Sequence, residues 1–209
     1  MNSETLLQRL RSRLPADATA GTATQHTMAP PLRGTYANPP ADARRAAVLA
    51  TLYPIDGILH LLFIERTRHP GDRHGGQISF PGGSVEARDE HTAATALREA
   101  EEEVGIPRDD VELLGPLTPL YIPVSNFLVD PYVGYLPHRP ALTRQESEVA
   151  ATLEIPLSEF LRPDARRVAE RKLASGLTLP EVPFWDVAGH QVWGATSMMT
   201  AELISLLKP

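Results

Sequence analysis

The stretch GGSVEARDEHTAATALREAEEEVGI, Gly82 to Ile106, decides how this chain is read. Residues three and four apart share one face of a helix, so Glu99, Glu102 and Glu103 project together while Glu101 points away to solvent. Ala93, Ala96, Leu97, Ala100 and Val104 form an apolar stripe turned away from the acids and suited to dock on a core. Gly105 is a natural helix stop, and Asp89 is read as the N-cap. Three carboxylates in the last turns are costly, because the helix dipole disfavours anions there and like charges at this spacing lose a few tenths of a kcal/mol per pair. A hard divalent cation removes the conflict, since Mg²⁺ and Mn²⁺ take carboxylate oxygens. Arg98, one turn before Glu102, is placed to clamp a carboxylate. The competing reading of the same glutamates is a solvated acidic face.

The segment just upstream decides between the two. Gln77-Ile78-Ser79-Phe80 reads as a strand, and Pro81-Gly82-Gly83 as a loop whose paired glycines let backbone approach a ligand and expose carbonyls to a metal. Strand, Gly-Gly loop and acid-faced helix together read as a metal site. Before them, Arg66, Arg68, Arg73 and His74 gather in a loop broken by Pro70 and Gly71. Loops carry binding residues more often than strands do, and four basic residues beside a metal loop suit a polyphosphate.

Residues 3 to 14, SETLLQRLRSRL, read as a helix with Leu6, Leu7, Leu10 and Leu14 on one face, docked on the domain; the alternative is a membrane-surface segment or transit peptide. Residues 15 to 41, punctuated by Pro15, Pro30, Pro31, Pro39 and Pro40, read as an irregular connector or an arm lying over the domain. The division expected is 1–41, helix and arm, and 42–209, one domain. Ala46 to Tyr53 and Ile58 to Arg66 form a hairpin around a Pro54-Ile55-Asp56-Gly57 turn. Beyond the acidic helix come a strand from Val111 to Leu120, an apolar strand from Ser125 to Leu136 interrupted by Pro131, and a strand from Val149 to Ile155. Val182 to Trp193 reads as a hairpin, with Trp185 and Trp193 in the core. Thr196 is read as the N-cap of a last helix through Leu207 in which Met198 and Met199 fill core. The pattern is α+β.

A chain of 209 residues with 42% hydrophobic and 22% charged residues suits one globular domain with extensions. The absence of cysteine excludes disulfides, thiolate metal sites and a cysteine nucleophile, and fits a reducing, cytoplasmic setting. A net charge of -6 leaves no basic footprint for nucleic acid, so an anionic substrate has to be drawn in by metal and local arginines. No apolar run approaches the roughly 20 residues that span a bilayer.

The central stretch resembles the Nudix box, G-x5-E-x7-R-E-U-x-E-E-x-G-U with U an aliphatic residue. Arg98 to Ile106 matches its second half with Ala100 as U, and Glu90, eight residues before Arg98, fits the first glutamate. Gly83 is then one residue too far from Glu90, so the loop reads as one residue longer. That spacing, with Phe80-Pro81-Gly82-Gly83, is similar to the coenzyme A pyrophosphatase subgroup, whose upstream signature ends in G-x3-F-P-G-G. Gly76 to Gly83 matches that ending, and Arg66 and Arg73 look like its basic positions. Ser125-Asn126-Phe127 with Pro131, and Val192 to Thr196, also resemble the subgroup.

The resemblance, which runs from near residue 45 to the C-terminus, implies the Nudix fold, an α/β/α sandwich with a mixed β-sheet. It implies Mg²⁺ or Mn²⁺ held by Glu99, Glu102, Glu103 and a carbonyl near Gly83. The catalytic group is Arg98 with Glu102 and a distal glutamate, Glu148 before Glu146; Glu102 and Glu148 are rivals for the base. Arg66, Arg73, His74 and Gln77 are expected on the substrate. Coenzyme A or an acyl-CoA is the implied small-molecule substrate, giving 3',5'-ADP and 4'-phosphopantetheine or its acyl form. A homodimer is left open; nucleic acid and a membrane span are not expected. The competing functions are the same chemistry on ADP-ribose or NADH, and a nucleotide sensor that does not cleave.

Overall fold

Two strands that start as neighbours and then part create the place where the site is built. The computed structural model describes residues 3–14, 21–31, 39–69, 75–172 and 176–208. Strands β1 (Arg44–Ile55) and β2 (Ile58–Arg66) meet at a two-residue turn in which Asp56 and Gly57 both have positive φ, 49° and 78°. The turn is tighter than expected, because Pro54 and Ile55 remain in β1 opposite Leu59 and Ile58. The two strands pair only from Leu52 to Ile55. Past that point β3 (Ile78–Ser79) lies on β2 at Ile64 and Glu65, while β4 (Gly82–Ser84) lies on β1 at Ala46 to Val48. The expected strand at Gln77–Phe80 is therefore two residues long, and Phe80-Pro81 crosses the gap between the parted strands.

On its other edge β1 runs parallel to β7 (Phe127–Tyr135). Pro131 does not interrupt β7: it sits in register with Val48, and its carbonyl accepts from Leu117 N at 2.8 Å. The strand expected from Val111 to Leu120 is two pieces, β5 (Glu112–Pro116) and β6 (Leu120–Ile122), both antiparallel to β7. Strand β8 (Val149–Pro156) closes on the far edge of β2. The sheet is mixed, with eight strands.

Alternation along β1 divides the core. Ala47 and Leu49 face Ala96 and Ala100 of helix α3 (Thr92–Val104). The small alanines on both sides let α3 lie close to the sheet. Ala46, Ala50 and Leu52 face the other way, toward Met198, Leu203 and Leu207 of α5 (Gly194–Leu207) and Leu6 and Leu10 of α1 (Ser3–Arg13). The result is the expected α/β/α sandwich. Arg9 and Arg13 of α1 donate to the carbonyls of Leu207 and Leu206 at 2.8 and 2.9 Å, satisfying acceptors the α5 terminus leaves open.

The N-terminal connector is not wholly irregular. It contains α2 (Thr22–His26), packed on α5; residues 15–20 and 32–38 lie outside the described residues. A short helix α4 (Leu157–Phe160) follows β8, and β9 (Arg166–Lys172), β10 (Thr178–Val187) and β11 (His190–Trp193) form a second, three-stranded sheet. Strand β9 was not anticipated. Trp193, not Thr196, stands at the N-cap of α5; Thr196 is buried in its first turn. Trp185 is core as expected, its Nε1 donating to the Ser197 carbonyl at 3.1 Å, and Met198 and Met199 are buried. Trp193 is half-buried, with the Arg171 guanidinium 4.8 Å from its ring centre.

Candidate active site

Helix α3 begins two residues later than an Asp89 cap requires. His91 is the N-cap, its Nδ1 accepting from Ala94 N at 3.0 Å. Asp89 is freed for another partner, Arg98, whose Nε and Nη2 donate to its two carboxylate oxygens at 2.9 and 3.0 Å. This corrects the fit of the box. The acid that meets Arg98 is Asp89, separated from Gly83 by five residues, while Glu90 is exposed. The G-x5 spacing is kept, and the extra residue falls between the acid and Arg98, where the chain turns into the helix.

Arg98 is a buried hub, its side chain only 3% exposed. Besides Asp89 it donates through Nη1 to Glu99 at 2.9 Å and to Glu102 at 3.0 Å, and through Nη2 to the Ser84 carbonyl at 3.1 Å. These hydrogen bonds, Asp89's first, raise the guanidinium's pKa and hold the Asp89 carboxyl well below the usual carboxylate range. With every N–H of the fork occupied, Arg98 orients the surrounding carboxylates.

The three glutamates differ more than their spacing suggests. Glu103 is 1% exposed. Its Oε2 accepts from Gly82 N at 2.9 Å; its Oε1 is buried without a hydrogen-bond partner, 3.9 Å from Arg66 Nη1. Burial pushes this carboxyl up to about 8. The Glu99 side chain, 13% exposed, lies against Gly83, where a Cβ would stand 2.5 Å from its Oε1, and burial raises its carboxyl too. Glu102 is 40% exposed and drawn aside by Arg98 and by Arg88 Nη2 at 2.9 Å. Glu101 is ion-paired with Arg108 rather than merely solvated.

Gly82 has no room for a side chain, since a Cβ would stand 2.3 Å from the Ala47 carbonyl oxygen. The ladder bonds flanking it, Leu49 N to Pro81 O at 2.9 Å and Val85 N to Arg45 O at 3.0 Å, set an alternation in which Gly82 turns its backbone groups away from β1. Its N–H accordingly leaves the sheet for Glu103.

Glu148 reaches this place by a non-local route. Thr143 N and Gln145 N donate to the carbonyls of Val104 and Glu103, both at 2.9 Å, so the loop before β8 caps the last turn of α3. Glu148, exposed at the end of that loop, is a close enough neighbour for its charge to act on both Glu99 and Glu103. Glu146 is exposed two residues earlier. Gln77 offers its carbonyl to Arg66 N at 3.0 Å. Arg73 and His74 lie outside the described residues.

Among the described residues no three acidic or imidazole groups already converge at metal-ligand spacing. The donor set nonetheless fits a hard divalent cation: a buried carboxylate oxygen without a donor, beside two more carboxylates whose charges oppose its own. Asp89, Arg88 and the α3 cap are the neighbours of the candidate site that periodicity does not reveal. The one available signal was the preserved five-residue spacing from Gly83 to Asp89.

A split mixed sheet carrying an acid-rich helix end against a Gly-Gly strand defines a class of sandwich proteins built around a helix-borne acidic site. The NUDIX domain matches residues 43–174, and the chain belongs to the Nudix family. The Nudix hydrolase NudL of Photorhabdus laumondii is 39% identical over 130 residues, 62% of this chain and 68% of its own length. NudL of Enterobacter sp. (strain 638) is 45% identical over 119 residues, 57% and 60% of the two chains. Across such relatives the matched stretch falls as low as 46% of their length, in NudL of Citrobacter koseri. Among solved structures, a MutT/nudix family protein from Enterococcus faecalis aligns with 97% of this chain and 73% of its own at a TM-score of 0.51 and 17% identity, a likeness of fold. No described helix is long and apolar enough to cross a membrane.

Proposed function

We propose that this chain is a divalent-cation-dependent pyrophosphohydrolase that cleaves the diphosphate of coenzyme A or an acyl-CoA to 3',5'-ADP and 4'-phosphopantetheine or its acyl form. The observation that carries the hydrolase reading is the unpartnered, buried Oε1 of Glu103, flanked by Glu99 and Glu148 and faced by Arg66. The coenzyme A reading rests on the Gly76 to Gly83 signature.

Glu99 and Glu103, with the Gly82 carbonyl beside Gly83 and with Glu148, would hold Mg²⁺ or Mn²⁺. The chemistry such an ion supplies when bound is charge neutralisation at phosphoryl oxygens and a water of lowered pKa. Glu148, facing both buried glutamates, takes the proton from the attacking water. Water adds to phosphorus and the P–O–P bond breaks. Glu102, engaged by two arginines, is the rival base. Arg98 is a positioning residue; Arg66, with Arg73 and His74, binds the diphosphate. We place the reaction in the cytoplasm, in keeping with a chain free of cysteine.

The test is a hydrolysis panel with Mg²⁺ or Mn²⁺ at mildly alkaline pH on CoA, acetyl-CoA, a long-chain acyl-CoA, ADP-ribose and NADH, with products resolved by mass spectrometry. Release of 3',5'-ADP fastest from a CoA species is expected. Faster cleavage of ADP-ribose or NADH overturns the CoA reading and keeps the chemistry. Binding of CoA without any turnover makes the chain a sensor.

A further inference from the structure

Glu148 sits on an exposed loop, an unpromising place for a group that must be held accurately. Its backbone is nevertheless gripped from two sides. One grip is the α3 cap described above. The other comes from the three residues after β2. Thr67 N donates to the Glu148 carbonyl at 2.8 Å, Thr67 Oγ1 to the Glu146 carbonyl at 3.1 Å, and His69 Nε2 to the Ser147 carbonyl at 2.6 Å. Three consecutive carbonyls are thus taken by two residues, Thr67 and His69. The turn is closed from within by Glu148 N to Gln145 O at 2.9 Å.

Thr67 follows directly on Arg66, whose Nη1 approaches Glu103. The segment that leads into the basic loop therefore also carries the third carboxylate, and a diphosphate held by Arg66 is indexed to Glu148 through three hydrogen bonds. We propose that Thr67 to His69 form a strap that positions the Glu148 carboxylate for the hydrolytic step, with the His69 side chain as a positioning residue beside Thr67. This rests on the hydrolase reading above. His69 acts on the loop backbone and touches no reacting atom.

The kinetic test is a double-mutant cycle of His69→Ala and Glu148→Gln in the full chain with CoA and Mg²⁺. One hydrogen bond is worth about fivefold in rate. His69→Ala is expected to lower kcat by about that factor with KM for CoA unchanged, His69→Gln, whose amide can still donate to Ser147, to restore it, and His69→Ala to add no further loss in the Glu148→Gln background. An equal loss in both backgrounds, or none in either, overturns the proposal. A readout free of turnover is hydrogen exchange of the Thr67 amide without metal, faster in His69→Ala and restored in His69→Gln; unchanged exchange also overturns it. If the native chain cleaves no diphosphate on the panel, the hydrolase reading has failed. The same cycle is then read on Mn²⁺ affinity by calorimetry, where coupling between His69 and Glu148 supports the strap and additivity sinks it.

Discussion

Among the described residues two glutamates are buried, and they are buried to opposite ends. Glu202, in α5, is saturated: Thr118 N approaches both its oxygens at 3.0 and 3.1 Å, Thr118 Oγ1 donates at 2.7 Å and Gln25 Nε2 at 2.7 Å. It fastens α2 and the loop before β6 to the helix. Glu103 has a single donor, Gly82 N, and a bare oxygen. A buried carboxylate whose lone pairs are filled is architecture; one left half-filled is where the proposed cation would bind.

The contrast can be broken at several points. Replacing Glu99 or Glu103 by Gln should lower kcat at least about a hundredfold with Mg²⁺, since even outer-shell partners of metal sites cost 10- to 100-fold. A rate within a few fold of native would make the bare oxygen irrelevant to chemistry. Arg98→Lys keeps the charge but loses the bidentate grip on Asp89, and a loss of roughly 10- to 100-fold in kcat or metal affinity is expected. Steady-state kinetics beside a metal titration would show which.

Glu202→Ala should do the reverse. Stranding the Gln25 and Thr118 donors should lower unfolding free energy by about 2–3 kcal/mol, read by urea denaturation, with kcat unchanged. A fallen kcat in the folded protein would mean that the two sites are coupled.

The smallest effect expected is a pH slope. The Glu103 carboxyl, raised from 4.5 to about 8, keeps its proton in the folded chain over a range where the unfolded chain has released it. Its contribution to the stability of the metal-free protein is therefore full below about pH 4.5 and is lost as pH rises through 8. Melting in EDTA at pH 5.5 and 8.5 should show a fall of a few degrees for the native chain that Glu103→Gln lacks, a shift of roughly 4–8 °C per kcal/mol being usual for small domains and less for larger ones. Parallel slopes in the two proteins would remove the burial argument.

What was legible in the chain was what repeats locally. The apolar stripe of α3, its Gly105 stop and its acid face follow from a 3.6-residue period, and the β1–β2 hairpin from an apolar run broken at Asp56-Gly57. What was not legible depends on distant partners. Asp89 is a sound N-cap by type, yet His91 takes the cap because Arg98, nine residues on, claims the aspartate. The residues Val111 to Leu120 have strand character throughout but must split to follow β7. Helix α2 hides in a proline-punctuated connector because its stability comes from Glu202 and Thr118, far along the chain. Glu148 is marked in the sequence only by its position before a strand; its neighbourhood to Glu99 and Glu103 depends on the α3 cap and the Thr67–His69 contacts, which no period announces.

The adjacent glycines of β4 carry one further consequence. A methyl group at Gly82 meets the backbone of Ala47 and Val48, which cannot yield without moving β1, whereas one at Gly83 meets only the free end of the Glu99 side chain. In a library sorted first for expression and then for turnover, variants at 82 should vanish in the first sieve and variants at 83 in the second. Two neighbours with the same letter would then carry separate constraints, one written by folding and the other by catalysis.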